Sequence, residues 1–264
     1  MTVYLDHIIE RVHIDREALI RQAGVTPIWR DQVWPKRFSI GDMYGYHSKL
    51  EAVKKPDNHR ATCTWTPEEC VGLLECVLNG QYVPDTILWF GPDDTIYLAD
   101  GVHRLSVMFA WINDDWGDNL SSSTWADKDQ EISSKAAAQR VRVLLQERNI
   151  GFFDDYLAAS ARYGELQSKG RKPGPDEMGL PELRYAEMVH QWEAGNIGLP
   201  ILWLKGNYAQ AEASVLRYQE EFEKLRVLHN NVFDSPEFQT AHDKLIEAMC
   251  SDPVKDAPKF IGAF

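Results

Sequence analysis

Hydrophobic and polar positions follow two different periods in the middle of this chain, and each change of period marks an element. Cys70, Leu73, Leu74, Val77 and Leu78 recur at helical spacing. That stretch opens with Thr66-Pro67-Glu68-Glu69: a threonine N-cap, a proline at the first helical position and a glutamate closing a capping box. Gly80 supplies the stop. Residues 86–90 and 95–99 are β-branched and aromatic runs separated by Gly91-Pro92-Asp93-Asp94, which predicts a hairpin. Helical spacing returns at Leu105, Met108, Phe109 and Ile112 and fades at Asn113-Asp114-Asp115-Trp116-Gly117. The order helix, strand, turn, strand, helix predicts a compact α/β core.

The flanks are less regular. The first sixty residues, rich in Trp, Tyr, Pro and Gly, predict a short helix over 15–23 and a strand within 28–35. The polar run at 119–124 reads as a linker, dividing the chain into 1–118 and 125–264. Beyond it, helices are predicted over 135–147, 152–163, 183–193, 208–228 and 235–249, with a polar Gly- and Pro-rich loop over 168–181. Residues 199–204 read as a short strand or the buried end of a helix. The fold class expected is α+β: a small α/β core followed by a mainly helical domain.

Composition narrows the classes. At 264 residues, 44% hydrophobic and 11% aromatic, the chain can build a real core. No apolar run approaches the roughly 20 residues that span a bilayer, and residues 1–7 lack the basic and apolar regions of a signal peptide. The four cysteines show no CxxC and no zinc spacing, so reduced thiols, a cytoplasmic protein and no structural metal are expected. The net charge of −12 opposes non-specific DNA binding. It is unevenly spread: between 30 and 60, Arg30, Lys36, Arg37, Lys49, Lys54, Lys55 and Arg60 face four acidic residues. They form either a local basic face or scattered solvated side chains.

The chemistry concentrates at Asp100-Gly101-Val102-His103-Arg104, where the second strand turns into a helix. Such a junction offers unpaired N–H groups and the positive end of a helix dipole, which attract phosphate. Asp100 can cap that helix or act as a base. Gly101 lets backbone approach a ligand closely. Arg104 in the first turn opposes the dipole, a conflict a bound anion would remove. His103 can titrate, donate to a phosphate, or simply be a hydrogen-bonded imidazole. Asp114-Asp115 could hold Mg²⁺ with nucleotide oxygens, though such pairs more often end a helix in solvent. The chain has no GxxxxGK[ST], GxSxG or HExxH motif.

Together these residues resemble a family. Asp100-Gly101-Val102-His103-Arg104-Leu105-Ser106 is similar to the DGxxR signature (DGQQR or DGxHRL) of the ParB/sulfiredoxin-like superfamily, closest to the N-terminal, nucleotide-hydrolysing component of GmrSD-type modification-dependent restriction systems. Arg60 followed by Trp65, then the passage from Leu74 to Ile87 with Asn79-Gly80 and Val83-Pro84, resembles that family's preceding text. Ile201-Leu202-Trp203-Leu204-Lys205-Gly206 with Ala211-Glu212-Ala213-Ser214 resembles a later landmark. The resemblance implies a ParB/sulfiredoxin-like core, a helical second domain, and a nucleoside triphosphate bound and hydrolysed with Mg²⁺ in DNA transactions such as phage defence. Asp100, His103 and Arg104 would be catalytic, with Gly101, Arg60 and Ser106 binding the nucleotide. It also implies DNA and a nuclease subunit as partners, since this chain shows no nuclease centre. His103 departs from the glutamine frequent there. The alternatives are a phosphotransferase acting on a nucleic-acid or small-molecule hydroxyl, and a non-enzymatic nucleotide-switched regulator associated with DNA.

Overall fold

A computed structural model describes residues 1–15, 36–44, 52–57, 62, 64–91, 95–121, 124–125, 127–171, 173–204, 208–228 and 235–251. Within them a six-stranded mixed sheet carries helices on both faces, an α/β arrangement. The strands are β1 (Arg11–Val12), β2 (Arg37–Ser39), β3 (Val53–Pro56), β4 (Thr86–Phe90), β5 (Ile96–Asp100) and β6 (Gly198–Leu204). Their order across the sheet is β1-β3-β5-β4-β6-β2. The β4–β5 hairpin is antiparallel; β3 runs parallel to β5 and β6 parallel to β4, and β2 closes one edge antiparallel to β6.

The helices are α1 (Pro67–Leu78), α2 (Val102–Asn113), α3 (Lys128–Glu147), α4 (Phe153–Ser168), α5 (Leu180–Glu193), α6 (Tyr208–Leu228) and α7 (Pro236–Ser251). Helix α1 begins as its sequence dictates: the Thr66 hydroxyl accepts from the Glu69 N–H, and the Glu69 carboxylate accepts from the Thr66 N–H at 2.7 Å. The period of two along the hairpin sorts its side chains. Leu88 and Leu98 join a core built with α1 to α5, whereas Ile87, Trp89 and Tyr97 pack with Ala211, Val215 and Tyr218 of α6 and with Leu245 and Ile246 of α7. Helix α2 is buried on every side from Leu105 to Trp111, all of them apolar except Ser106, because it runs through the first of these cores rather than over it.

Several sequence expectations are resolved or changed here. The 199–204 segment is a strand, and it lies between β4 and β2, so the two sides of the 119–124 segment share one sheet. Helix α3 starts seven residues earlier than the apolar period suggested, because Asp127 caps it by accepting from the Gln130 N–H at 2.7 Å. The expected helix over 15–23 and strand within 28–35 lie outside the described residues, apart from Asp15. The basic face loses two of its members: Lys55 is wholly buried on Asp6, and Lys54 is paired with Glu10. Asp114 is held by Arg142 and Asp115 by a hydrogen bond with His7, so these carboxylates already have partners and do not read as an open Mg²⁺ site. The His7 hydrogen bond outweighs burial and holds the Asp115 carboxyl below its ordinary range. Cys70 and Cys76 are free thiols, and burial pushes the Cys70 thiol up to about 12, so it stays protonated and inert. Among the described residues no helix is long and apolar enough to cross a membrane.

Candidate functional site

The hairpin brings two stretches of chain together that sequence order keeps apart. Ile87 pairs with Asp100, so the entry to β4 (Asp85, Thr86) lies beside the exit from β5 (Asp100, Gly101). A bulge between Ile87 and Leu88 shifts the register at this point. Helix α2 starts from this junction, and its first turn carries His103 and Arg104 back over it.

Gly101, not Asp100, is the N-cap of α2. Its φ of 91° is left-handed, and no side chain caps the helix. The close approach also demands glycine: a Cβ here would lie 3.0 Å from an Arg104 terminal nitrogen and 3.1 Å from both Cα and Oγ1 of Thr86. The Asp100 carboxylate, freed from capping, accepts from Arg104 Nη2 at 2.9 Å. The same nitrogen donates to the Asp85 carbonyl at 2.8 Å. The protein itself therefore relieves part of the conflict between Arg104 and the helix dipole.

Four polar atoms near this turn are nevertheless buried without a hydrogen-bond partner: Asp85 Oδ2, Thr86 Oγ1, Arg104 Nε and, one helical position further in, Ser106 Oγ. Thr86 and Ser106 are wholly buried. Such orphans are uncommon in a packed protein, and each is a place where a water, ion or ligand group can bond. Ser106 sits in the core behind the turn rather than on its rim, which weakens its expected role as a direct contact for a nucleotide. Arg60 lies outside the described residues.

His103 faces outward. Its Nε2 lies 2.9 Å from the Thr64 hydroxyl, and its ring stacks on Trp65 with centroids 5.4 Å apart and planes 19° from parallel. Thr64 is exposed, whereas Trp65 packs partly on the core just ahead of the α1 cap. A partly exposed imidazole is thus held on a fixed platform beside the mouth of the turn.

The inner wall is built by residues that sequence reading missed. Asp85, 8% exposed, presents its carboxylate to His242 of α7, with Oδ2 and Nε2 3.2 Å apart. His242 Nε2 is also 3.1 Å from the Tyr218 hydroxyl of α6. The ring of Tyr82 packs edge-on to His242 and Phe238. Burial, reinforced by the Asp85 charge, pushes the phenols of Tyr82 and Tyr218 far up, so both stay neutral hydroxyls. Asp85 and Thr86 were within reach of sequence reasoning, because any hairpin register that ends at Asp100 brings them to the turn. Tyr218 and His242 had no local signal.

The expected trio is thus partly assembled: Asp100 and Arg104 touch, His103 stands apart on its own platform, and Gly101 shapes the approach. Among the described residues no group of three or more His, Cys, Asp or Glu side chains is arranged to hold a metal ion. No protein-family model matches the chain, and no curated protein or solved structure is significantly similar to it.

Proposed function

We propose that the 100–104 turn takes the phosphates of a nucleoside triphosphate, and that the chain hydrolyses that nucleotide in the service of DNA transactions such as restriction of modified or phage DNA. The observation that carries the phosphate reading is the uncapped start of α2, flanked by two buried orphan donors, Thr86 Oγ1 and Arg104 Nε. An anion at this place meets helix N–H groups, the positive dipole end, a hydroxyl and a guanidinium together. The DGxxR resemblance extends the reading from phosphate to nucleotide turnover, and from turnover to DNA restriction with a nuclease partner.

In that reaction Arg104 neutralises charge that develops on the transferred phosphoryl group, fixed in advance by Asp100 and the Asp85 carbonyl. His103, clamped by Thr64 and Trp65, orients the attacking water. Mg²⁺ bound to the triphosphate would neutralise charge between the phosphates. Among the described residues no set of ligands is pre-built for it.

The test is a panel of nucleoside triphosphates with Mg²⁺, read as thermal stabilisation and phosphate release, on the wild type and on Arg104→Ala. At least one nucleotide is expected to raise the wild-type melting temperature. The variant is expected to lose about 10³-fold in turnover, the effect of removing an arginine that stabilises a phosphoryl transition state. Turnover unchanged in Arg104→Ala overturns the proposal.

A further inference from the structure

We infer that Thr64 is a phosphoryl acceptor: its hydroxyl takes the terminal phosphoryl group of the bound triphosphate, with His103 as the base. This rests on the reading of the 100–104 turn as a phosphate site, and adds a modification of the chain itself to the hydrolysis proposed above.

A hydroxyl is a weak nucleophile until a base within hydrogen-bond reach takes its proton. The hydroxyls around the turn and its flanking platform differ in this respect. Thr86 and Ser106 are wholly buried and neither Oγ has a hydrogen-bond partner, so no base is placed to activate them. The Thr66 hydroxyl is committed to the α1 cap, donating to Glu69 Oε2 at 3.0 Å and accepting from the Glu69 N–H. Thr64 alone among these four is both exposed and joined to an imidazole, with Oγ1 2.9 Å from His103 Nε2. In the tautomer that carries its proton on Nδ1, Nε2 accepts from the Thr64 O–H, the pairing of nucleophile and base that activates a hydroxyl.

Both partners are held in place. The His103 ring stacks on Trp65, whose carbonyl accepts from the Val3 N–H at 2.8 Å. On the other side of Thr64, the Thr62 carbonyl accepts from the Leu5 N–H at 2.8 Å. Thr64 therefore lies between two backbone ties to the N-terminal segment, with the Thr66 cap following at once. His103 stands in the first turn of α2 beside Arg104, so the hydroxyl it holds is next to the helix terminus that takes the phosphates.

In the transfer, an Oγ1 lone pair of Thr64 forms the new P–O bond as the hydroxyl proton passes to His103 Nε2. The bond from the γ-phosphorus to the β,γ-bridging oxygen breaks, and its electron pair leaves with the nucleoside diphosphate. The imidazolium then returns its proton to solvent. Arg104 and the α2 N–H groups neutralise charge on the phosphoryl oxygens, as in hydrolysis. The phosphothreonine brings about 1.5 to 2 negative charges to the mouth of the turn, which opposes entry of a second triphosphate.

The experiment incubates the full chain with Mg²⁺ and ATP, GTP, CTP or UTP carrying a labelled γ-phosphate. Label on the protein, released phosphate and, by peptide mass spectrometry, the labelled residue are followed together. The expected result is one phosphoryl group per chain, on Thr64, at a rate independent of protein concentration. Thr64→Val is expected to take no label and Thr64→Ser to take it, which separates loss of the hydroxyl from loss of the fold. His103→Asn is expected to slow labelling by about 10²-fold or more, the contribution of a general base. Thr64 unlabelled in a chain that releases phosphate, or that any of the four nucleotides stabilises against heat, overturns this inference and leaves the phosphate reading standing. Label on another residue, or undiminished label in Thr64→Val, overturns it as well. If no nucleotide is hydrolysed and none raises the melting temperature, the phosphate reading fails and this inference with it.

Discussion

Two of the partly buried ionic clusters among the described residues are finished differently. At one edge of the sheet, Lys55 Nζ donates to the Asp6 carbonyl at 2.6 Å and to Asp6 Oδ1 at 2.9 Å. The same carboxylate accepts from the Thr62 N–H at 2.9 Å and from Arg11 at 3.0 Å. Every charged group there is engaged, and the result ties the segment before β1 onto β1 and β3. At the 100–104 turn, Asp85, Asp100, Arg104 and His242 are equally close-set, yet Thr86 Oγ1 and Arg104 Nε have no hydrogen-bond partner. In the first cluster only the Thr62 hydroxyl is left over and no charged group is, whereas in the second the arginine itself keeps an unengaged N–H, which is capacity for a ligand. Similar residue types thus serve stability in one place and, in the proposed reading, binding in the other.

The largest effect on stability should come from the closed cluster. Lys55→Met removes the buried cation and leaves Asp6 to Arg11 and Thr62 alone. A loss of about 2 to 3 kcal/mol is expected in urea unfolding, less than for a fully sealed pair because Asp6 keeps some solvent. The nucleotide-induced rise in melting temperature should be unchanged, which separates the two clusters. A variant that also loses nucleotide binding would merge them.

Next comes Gly101→Ala in the open cluster. Left-handed backbone at φ 91° and contacts of 3.0 to 3.1 Å with Arg104 and Thr86 should cost about 2 kcal/mol by the same unfolding measurement. Here nucleotide binding should fall as well, because the new methyl group enters the approach to the turn.

Acid sharpens the contrast further. Burial alone would raise the Asp6 carboxyl, but the Lys55 hydrogen bond, the Thr62 N–H and the charges of Lys55 and Arg11 outweigh it and hold it below its ordinary value of 3.8. A group whose folded value is depressed gives its stability above the unfolded value and loses it as pH falls through the folded one. The stability difference between wild type and Asp6→Asn is therefore expected to be constant near neutrality and to shrink below about pH 4. A difference that persists unchanged into acid would show that the Asp6 charge is not what holds the N-terminal segment.

The same contrast explains what the sequence made legible. Helix α1, the β4–β5 hairpin and the start of α2 were readable because their signals are local: the Thr66 capping box, the turn at Gly91, the period of the apolar positions. Strand β3 was not, since Val53-Lys54-Lys55-Pro56 reads as solvated until Asp6, almost fifty residues away, neutralises Lys55. The placement of β6 inside the sheet was equally hidden, because strand order is a matter of long-range pairing. At the site, Asp100 could be read as a cap or as a base; it is not the cap, because a left-handed Gly101 takes that position, and it is the partner of Arg104. His103 and Arg104 were legible by type and spacing. The contribution of Tyr218 and His242 was not, since it exists only once α6 and α7 cover the second face of the sheet.

The most direct test is a comparison of wild type with Thr86→Val, by melting temperature with and without Mg²⁺ and each nucleoside triphosphate. The substitution keeps the shape and removes one orphan hydroxyl. In the ligand-free state it should be neutral or stabilising by roughly 1 kcal/mol or less, since an unsatisfied buried polar group is lost. The wild type should be stabilised by nucleotide through mass action, and the variant less so. A free protein no weaker than wild type that binds nucleotide less well is the expected result. A wild type that no nucleotide stabilises, or a Thr86→Val protein stabilised just as strongly, would contradict the assignment of the turn as a phosphate site.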